Sequence, residues 1–256
     1  MTPPDSSRWD GYVDRFHAQH PGITETVLGA CRSRGDTPYR WLADAVSGSG
    51  PVRLDLACGS APLTPFVIGG QAIGVDRSEA ELQVASERHP GSTFVRGDAS
   101  RLPFPERSID CIACSFALMV LTPLEQVVDE LARVTRPGGN LAVLLPTTRP
   151  LSMRDRMRYA SLTVVLRSSP ARFPNPTAER DLGRVLEARG YRVDRDERVR
   201  FSYPVIDEAA AGALVESFYL PDVSDRRREA TRRTVRRWIG SDLGIPLRRV
   251  LATVDR

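Results

Sequence analysis

The sequence predicts an α/β fold: a mostly parallel, doubly wound sheet with helices on both faces and a helical cap. Three observations carry this. Between residues 52 and 146, short near-continuous apolar runs alternate with segments of helical periodicity, the pattern of a sheet buried on both faces. Turn residues fall between the two kinds of segment. The polar residues suited to holding a ligand come just after the strands, and right-handed crossovers bring such loops to one sheet edge.

Each element has its own signal. Residues 52–57 read as a strand that breaks into the loop Ala57-Cys58-Gly59-Ser60-Ala61. A helix is expected to follow, since Pro62 suits a first helical turn. Residues 72–76 are a second strand, bounded by Gly70. Ser78 is a good N-cap, and Glu81 completes a capping box. Leu82, Val84 and Ala85 supply that helix's apolar face, and His89-Pro90-Gly91 stops it. Residues 93–96 and 109–115 are the third and fourth strands. In the helix 122–135, Leu124, Val127, Val128, Leu131 and Val134 recur at helical spacing. Arg136-Pro137-Gly138-Gly139 ends it, and 141–145 is the fifth strand.

Farther on, 151–166 and 177–189 read as helices, the second stopped by Gly190. Residues 191–205 alternate like a strand, 207–219 and 224–239 look helical, and 247–253 forms a last strand. The expected division is an N-terminal helical segment, 1–50, over the pocket; a core, 51–206 with 245–256; and an inserted helical cap, 207–244.

Composition narrows the function. The chain has 256 residues, 41% of them hydrophobic, enough for a substantial core. It has no apolar run of about 18 residues, so no membrane span is expected. Residues 1–10 are polar and lack the apolar core of a signal peptide, which predicts a cytoplasmic protein. The 36 basic residues, all arginine, against 32 acidic ones leave a net charge of +4. Uniform arginine usage reads as compositional bias, and so modest a charge does not call for a nucleic-acid partner. The stretch "DRRREATRRTVRRW", 225–238, carries seven arginines. Ala230, Val235 and Trp238 give it an apolar side and Asp225 and Glu229 interrupt the charge, so it reads as a solvated cap helix. Cys111 and Cys114 form a C-x-x-C inside an apolar run, without a second pair or a nearby histidine. That favours buried strand residues over a metal or redox site, and no metal is expected.

Four loops line up as the candidate site. Gly59 lets backbone approach a ligand without a Cβ in the way. Asp76, ending the second strand, is placed to accept from ribose hydroxyls. Gly97-Asp98-Ala99 follows the third strand and Ser115-Phe116 the fourth. The first loop lacks the glycines a dinucleotide pyrophosphate needs, which argues against a nicotinamide enzyme.

On "VRLDLACGSAP", "AIGVDRS", "FVRGDASRLPFPERSIDCI" and "RVTRPGGNLAVLLP", the chain resembles the class I S-adenosylmethionine-dependent methyltransferases. The resemblance is to the small-molecule kind related to the ubiquinone and menaquinone methyltransferases. It covers about residues 52–146 and implies a seven-stranded Rossmann-like sheet. S-adenosyl-L-methionine is the implied cofactor and S-adenosyl-L-homocysteine its product. By resemblance, Asp55 organises the loop or meets the methionine amine through water, and the Ala57 and Gly59 backbone runs along the methionine part. Asp76 holds the ribose hydroxyls and Arg77 flanks the adenine. Asp98 accepts from the adenine amino group and the Ala99 amide meets a ring nitrogen. Ser115 and Phe116 border the sulfonium. Ala61 departs from the family's usual glycine, which predicts a slightly displaced loop.

The N-terminal stretch "RWDGYVDRFHAQHPGI", 8–23, is dense in aromatic and basic residues. In the family such helices fold over the cofactor, which makes Tyr12, His17 and His20 the catalytic candidates, a histidine serving as general base. The alternative is an amphipathic helix with solvated polar residues. The function expected is methyl transfer to an O, N or C nucleophile of a small organic acceptor, secondary-metabolite or quinone-like. Rivals are a non-methylating cyclisation or rearrangement on the same fold, and an RNA methyltransferase. The acceptor is the expected partner, with no nucleic acid; a homodimer stays open.

Overall fold

The computed structural model describes residues 6–46, 50–66, 71–169 and 173–255. Three helices come first, α1 (Ser6–Gln19), α2 (Ile23–Ala30) and α3 (Pro38–Asp44). The strands are β1 (Val52–Leu56), β2 (Gln71–Asp76), β3 (Thr93–Arg96), β4 (Ile109–Ser115), β5 (Thr135–Pro146), β6 (Tyr191–Val205) and β7 (Ser241–Val254). Between them lie α4 (Glu79–Arg88), α5 (Leu124–Val134), α6 (Met153–Leu166), α7 (Pro176–Arg180), α8 (Leu182–Glu187), α9 (Glu208–Glu216) and α10 (Asp225–Arg236). The strands form one seven-stranded sheet in the order β3-β2-β1-β4-β5-β7-β6. All pairings are parallel except those of β7, which is antiparallel to β5 and β6. The expected doubly wound, mostly parallel sheet is borne out. The order reverses between β1 and β4, where ligands of open α/β sheets bind.

Side-chain alternation on the central strands shows why the sheet must be covered twice. On β5, Leu141, Val143 and Leu145 pack into one buried cluster, while Ala142 and Leu144 pack into the other. The first cluster takes the whole apolar stripe of α5, Leu124, Val127, Val128, Leu131 and Val134. The second takes Val27 and Leu28 of α2, Leu42 of α3, Leu162 and Leu166 of α6, and buried residues of α9 and α10. Cys111 and Cys114 are both fully buried but belong to opposite clusters. Three residues apart on a strand, they point to opposite faces and cannot share an ion.

Several boundaries differ from the sequence reading. The helix expected after the glycine loop is a single 3-10 turn, Thr64–Phe66. The rest of that expected helix, residues 67–70, lies outside the described residues, and β2 begins at Gln71. Gly70 and residues 1–5 lie outside the described residues. The helix expected over 177–189 is broken at Asp181 into α7 and α8. β7 starts at Ser241, ahead of the expected 247, because its first half, which holds Gly244 and Pro246, pairs with the end of β6, Val205 to Ser241 and Ser202 to Gly244. Ion pairs across these strands join Arg248 to Asp196 and Arg249 to Glu197. Among the described residues no helix is long and apolar enough to cross a membrane.

Candidate active site

The strand ends β1, β2, β3 and β4 open into one pocket, roofed by α1 and the first turn of α2. Asp55, Ala57, Gly59, Asp76, Arg77, Asp98, Ala99, Ser115 and Phe116 all line it. The backbone turns sharply at two strand ends. Ala57 after β1 and Phe116 after β4 sit at φ 51° and 56°, and Ala61 at 61°. An L-residue held there costs about 1 kcal/mol, and such strain gathers at functional sites. Gly59 shares the conformation, φ 53°. A Cβ on it would lie 3.8 Å from the Glu81 carboxylate, an ordinary contact, so the backbone turn, rather than crowding, asks for glycine there.

Asp76 organises the loop. Its Oδ2 accepts from the Gly59 amide at 2.9 Å and its Oδ1 from the Ser78 amide at 2.8 Å. Burial raises its pKa, and the two amides pull it back. Each carboxylate oxygen has a second lone-pair site for a ligand hydroxyl. The expected capping box is half formed. Ser78 Oγ accepts from the Glu81 amide, but the Ser78 amide is taken by Asp76, so the Glu81 side chain turns away into the pocket wall. At the rim, Asp98 Oδ1 accepts from the amide and hydroxyl of Ser100 at 2.8 and 2.7 Å, which holds its pKa below the usual range.

At the floor the polar balance is incomplete. Asp55 pairs through its backbone position with Gly74 and Ala113. Part of the residue faces the pocket, but its Oδ2 is sealed from solvent and has no hydrogen-bond partner. Burial, with Asp76 nearby, lifts its pKa to about 8. Ser115 Oγ is likewise buried and unpartnered. Buried polar atoms are nearly always bonded, so two such atoms on the wall of one pocket mark places for ligand groups. Burial also pushes the Cys58 thiol, on the same wall, well up, which removes it as a nucleophile.

The roof is pinned by polar links. Arg77 Nε pairs with Asp14 at 2.7 Å and its NH2 donates to the Asp10 carbonyl at 3.1 Å. Thr122 Oγ1 donates to the Asp10 carboxylate at 3.1 Å. Glu25 of α2 accepts from Ser60 of the loop and from Arg88. His17 bridges Glu81 and Tyr219: Nδ1 lies 2.7 Å from Glu81 Oε1, and Nε2 lies 2.9 Å from the Tyr219 hydroxyl. The Gly22 amide donates to Glu81 Oε2 at 3.0 Å. An ionised Glu81 only accepts, so Nδ1 carries the proton and Nε2 accepts from Tyr219. All three residues line the pocket, and Glu81 and Tyr219 are buried.

The other two catalytic candidates sit elsewhere. The Tyr12 hydroxyl accepts from the Leu220 amide at 2.7 Å and its ring packs against Trp9 and Tyr219. His20 is exposed and leans on Phe16. Neither is among the lining residues. Sequence reasoning missed Tyr219, far along the chain in "SFYLPD", and spent Glu81 on the capping box.

The wall's charge selects among ligands. Asp10, Asp14, Glu25, Asp55, Asp76, Glu81 and Asp98 face a single arginine, Arg77, itself held by Asp14. A pyrophosphate would meet carboxylates here; hydroxyls and a cation are suited to it.

Residues 54–143 match the family described as "Methyltransferase domain". The chain is 41% identical over 92 residues to a demethylmenaquinone methyltransferase of Streptomyces griseus, 35% of this chain and 40% of that protein. It is 34% identical over 163 residues to a demethylmenaquinone methyltransferase of Thermobifida fusca, 59% of this chain and 65% of that protein. The chain thus spans about half the length of the curated relatives it matches. The crystal structure of the (4+2)-cyclase SpnF shares the fold, at TM-score 0.60 and 18% identity, covering 94% of each chain.

Proposed function

We propose that this chain, whose residues 54–143 match a methyltransferase domain, transfers a methyl group from S-adenosyl-L-methionine to a small quinol- or phenol-like acceptor. One observation carries the reading: the sealed, unpartnered oxygen of Asp55 at the floor of an acid-lined pocket. That position suits the amino group of an amino-acid ligand. Asp76 suits the ribose hydroxyls, with Arg77 flanking the adenine. Asp98 and the Ala99 amide suit the adenine edge, and Ser115 and Phe116 the region of the sulfonium. When bound, S-adenosyl-L-methionine supplies an already activated methyl group.

The protein's own task is then alignment and exclusion of water. The α1 roof and its links to Arg77 and Thr122 close the pocket from above. Val13, Val120, Leu121, Phe116 and Tyr219 give the wall an apolar, partly aromatic side that suits a flat organic acceptor. A phenolic acceptor reacts best after losing its proton. Tyr219 Oη accepts that proton's hydrogen bond while its own O–H donates to His17 Nε2. The proton passes along this pair, and Glu81 holds the resulting imidazolium through Nδ1. The quinol character of the acceptor is drawn from the names of the similar proteins.

Binding of S-adenosyl-L-homocysteine by calorimetry tests the cofactor reading. The wild type is expected to bind in the micromolar range and Asp76→Ala to lose binding, with the Gly59 amide and the α4 cap released as well. Equal binding by the two proteins, or none by either, removes the ribose assignment. Acceptor-dependent release of demethylated cofactor separates methyl transfer from a cyclisation on this fold.

A further inference from the structure

After β4 the chain makes a loop, residues 116–122, that carries much of the pocket wall. Phe116, Ala117, Val120, Leu121 and Thr122 line the pocket. Leu118 and Met119 do not, and are fully buried in the cluster that holds the α5 stripe. A loop with one side toward a ligand and the other in apolar packing has few partners for its backbone carbonyls, and a buried carbonyl left unbonded is costly. Within the loop, the Val120 and Leu121 amides both donate to the Ala117 carbonyl, at 2.8 and 3.0 Å. The carbonyls of Leu118, Met119 and Leu121 are met from outside by one residue. Asn175 Nδ2 donates to the Leu118 carbonyl at 2.9 Å and to the Leu121 carbonyl, and the Asn175 amide donates to the Met119 carbonyl at 3.1 Å.

Asn175 stands at the N-cap of α7, where an asparagine side chain ordinarily accepts from first-turn amides. Here it makes no cap hydrogen bond. Its amide group goes instead to two carbonyls 57 and 54 residues away in sequence. Two carbonyl acceptors require the nitrogen end of the side-chain amide at that place. The ends of the loop are fastened separately. The Phe116 amide donates to the Leu144 carbonyl at 2.9 Å, and Thr122 Oγ1 donates to Asp10 at 3.1 Å. Asn175 thus holds the middle of the loop, where Val120 and Leu121 face the pocket. Two residues earlier, Phe173 sets its ring edge-on to Tyr219, with centroids 6.2 Å apart at 83°. The short segment 173–175 therefore reaches both the aliphatic wall and Tyr219. The residues suited to the cofactor, Asp55, Asp76, Asp98 and Ala99, belong to other strand ends and are not among its hydrogen-bond partners.

We propose that Asn175 is a positioning residue for the acceptor: by holding the 118–121 backbone it sets where Val120 and Leu121 stand, and so how the acceptor fits against that wall. This rests on the methyl-transfer reading, with the acceptor along the apolar side of the pocket. Contacts of that kind hold the acceptor alike before and during the reaction, so their loss falls on KM rather than kcat. The test is Asn175→Ala, assayed with 1,4-naphthalenediol as acceptor and with S-adenosyl-L-homocysteine binding by calorimetry. The acceptor KM should rise on the order of tenfold, with kcat and S-adenosyl-L-homocysteine affinity each within about threefold of wild type. Asn175→Ser, which keeps one donor, should fall between the two proteins. An unchanged KM overturns the proposal, and so does an equal loss of acceptor KM, kcat and cofactor affinity, since Asn175 would then support the fold at large. A wild type that binds S-adenosyl-L-homocysteine yet leaves the diol unmethylated counts against the phenol-like acceptor, and hydrogen exchange then decides the role of Asn175. The Val120 and Leu121 amides should exchange faster in Asn175→Ala, with the Cys58 and Gly59 amides unchanged. Equal exchange at residues 120 and 121 in the two proteins overturns the proposal.

Discussion

Replacing Asp55 by asparagine separates what that carboxyl costs the fold from what it offers a ligand. Burial first, and Asp76 second, lift its pKa from 3.8 to about 8. A displacement of that size is worth about 6 kcal/mol between the two protonation states. At pH 7 about 4 kcal/mol of it weighs against folding, because the carboxyl is ionised in the unfolded chain and neutral in the folded one. Part of the residue faces the pocket, so water screens some of this, and a gain of about 2 kcal/mol is expected for Asp55→Asn. The sign follows from the raised value. The group's relative contribution is most favourable below about pH 4 and is lost as pH rises through about 8. Wild-type unfolding free energy, measured by urea titration without ligand, should therefore fall more between about pH 5 and 8 than that of the variant. Ligand binding runs the other way. An ammonium group calls for the ionised carboxylate, so at pH 7 binding of S-adenosyl-L-homocysteine should release close to one proton, about 0.9. Calorimetry in two buffers of different ionisation enthalpy reads that number. Affinity should climb toward about pH 8, and Asp55→Asn should release no proton and bind more than about tenfold more weakly. A variant less stable than wild type at pH 8, or wild-type binding without proton release, would refute the reasoning.

Three further outcomes follow from other parts of the molecule. With an acceptor in hand, His17→Asn should lower kcat by about 10²–10⁴-fold. Tyr219→Phe should lower kcat with cofactor affinity little changed, and equal loss of kcat and affinity would make the bridge a roof clamp only. Leu131→Ala, at the fully buried centre of the α5 stripe, should destabilise the protein by about 2–5 kcal/mol in chemical denaturation. A loss under 1 kcal/mol would mean that α5 is not carrying the core it faces.

Much of the fold was legible because the central strands bury both faces. Apolar runs such as Ile109–Ser115 admit few other readings, and the α5 stripe fell at helical spacing on the five residues that are buried. The ligand-facing residues were legible for a related reason, since parallel strands with crossover connections must bring their following loops to one edge. What was not legible depended on contacts between distant segments. Glu81 satisfied a local capping pattern, yet its carboxylate accepts from Gly22 and His17, more than fifty residues away in sequence. Tyr219 follows a cap helix whose own pattern gives no hint of the pocket. The first half of β7 reads as a loop by composition and becomes a strand because β6 offers it partners.

The hydrogen bonds of the glycine loop bear on what the N-terminal helices do. The described residues after the loop form a 3-10 turn, Thr64–Phe66, and the loop's own hydrogen bonds run to more distant elements. The Cys58 amide donates to the Val75 carbonyl, the Gly59 amide to Asp76, and the buried Ser60 hydroxyl to Glu25 of α2. On the other side of the loop, Glu81 is fixed by the Gly22 amide that precedes α2 and by His17 of α1. The first two helices therefore brace the loop as well as roof the pocket. Losing them would remove the partners of Ser60 and Glu81 together and open both side chains to water, so the contacts that hold the loop would be gone. An α/β core without its roof is thus expected to lose the shape of the ligand loop itself, so closure and binding are two consequences of the same contacts.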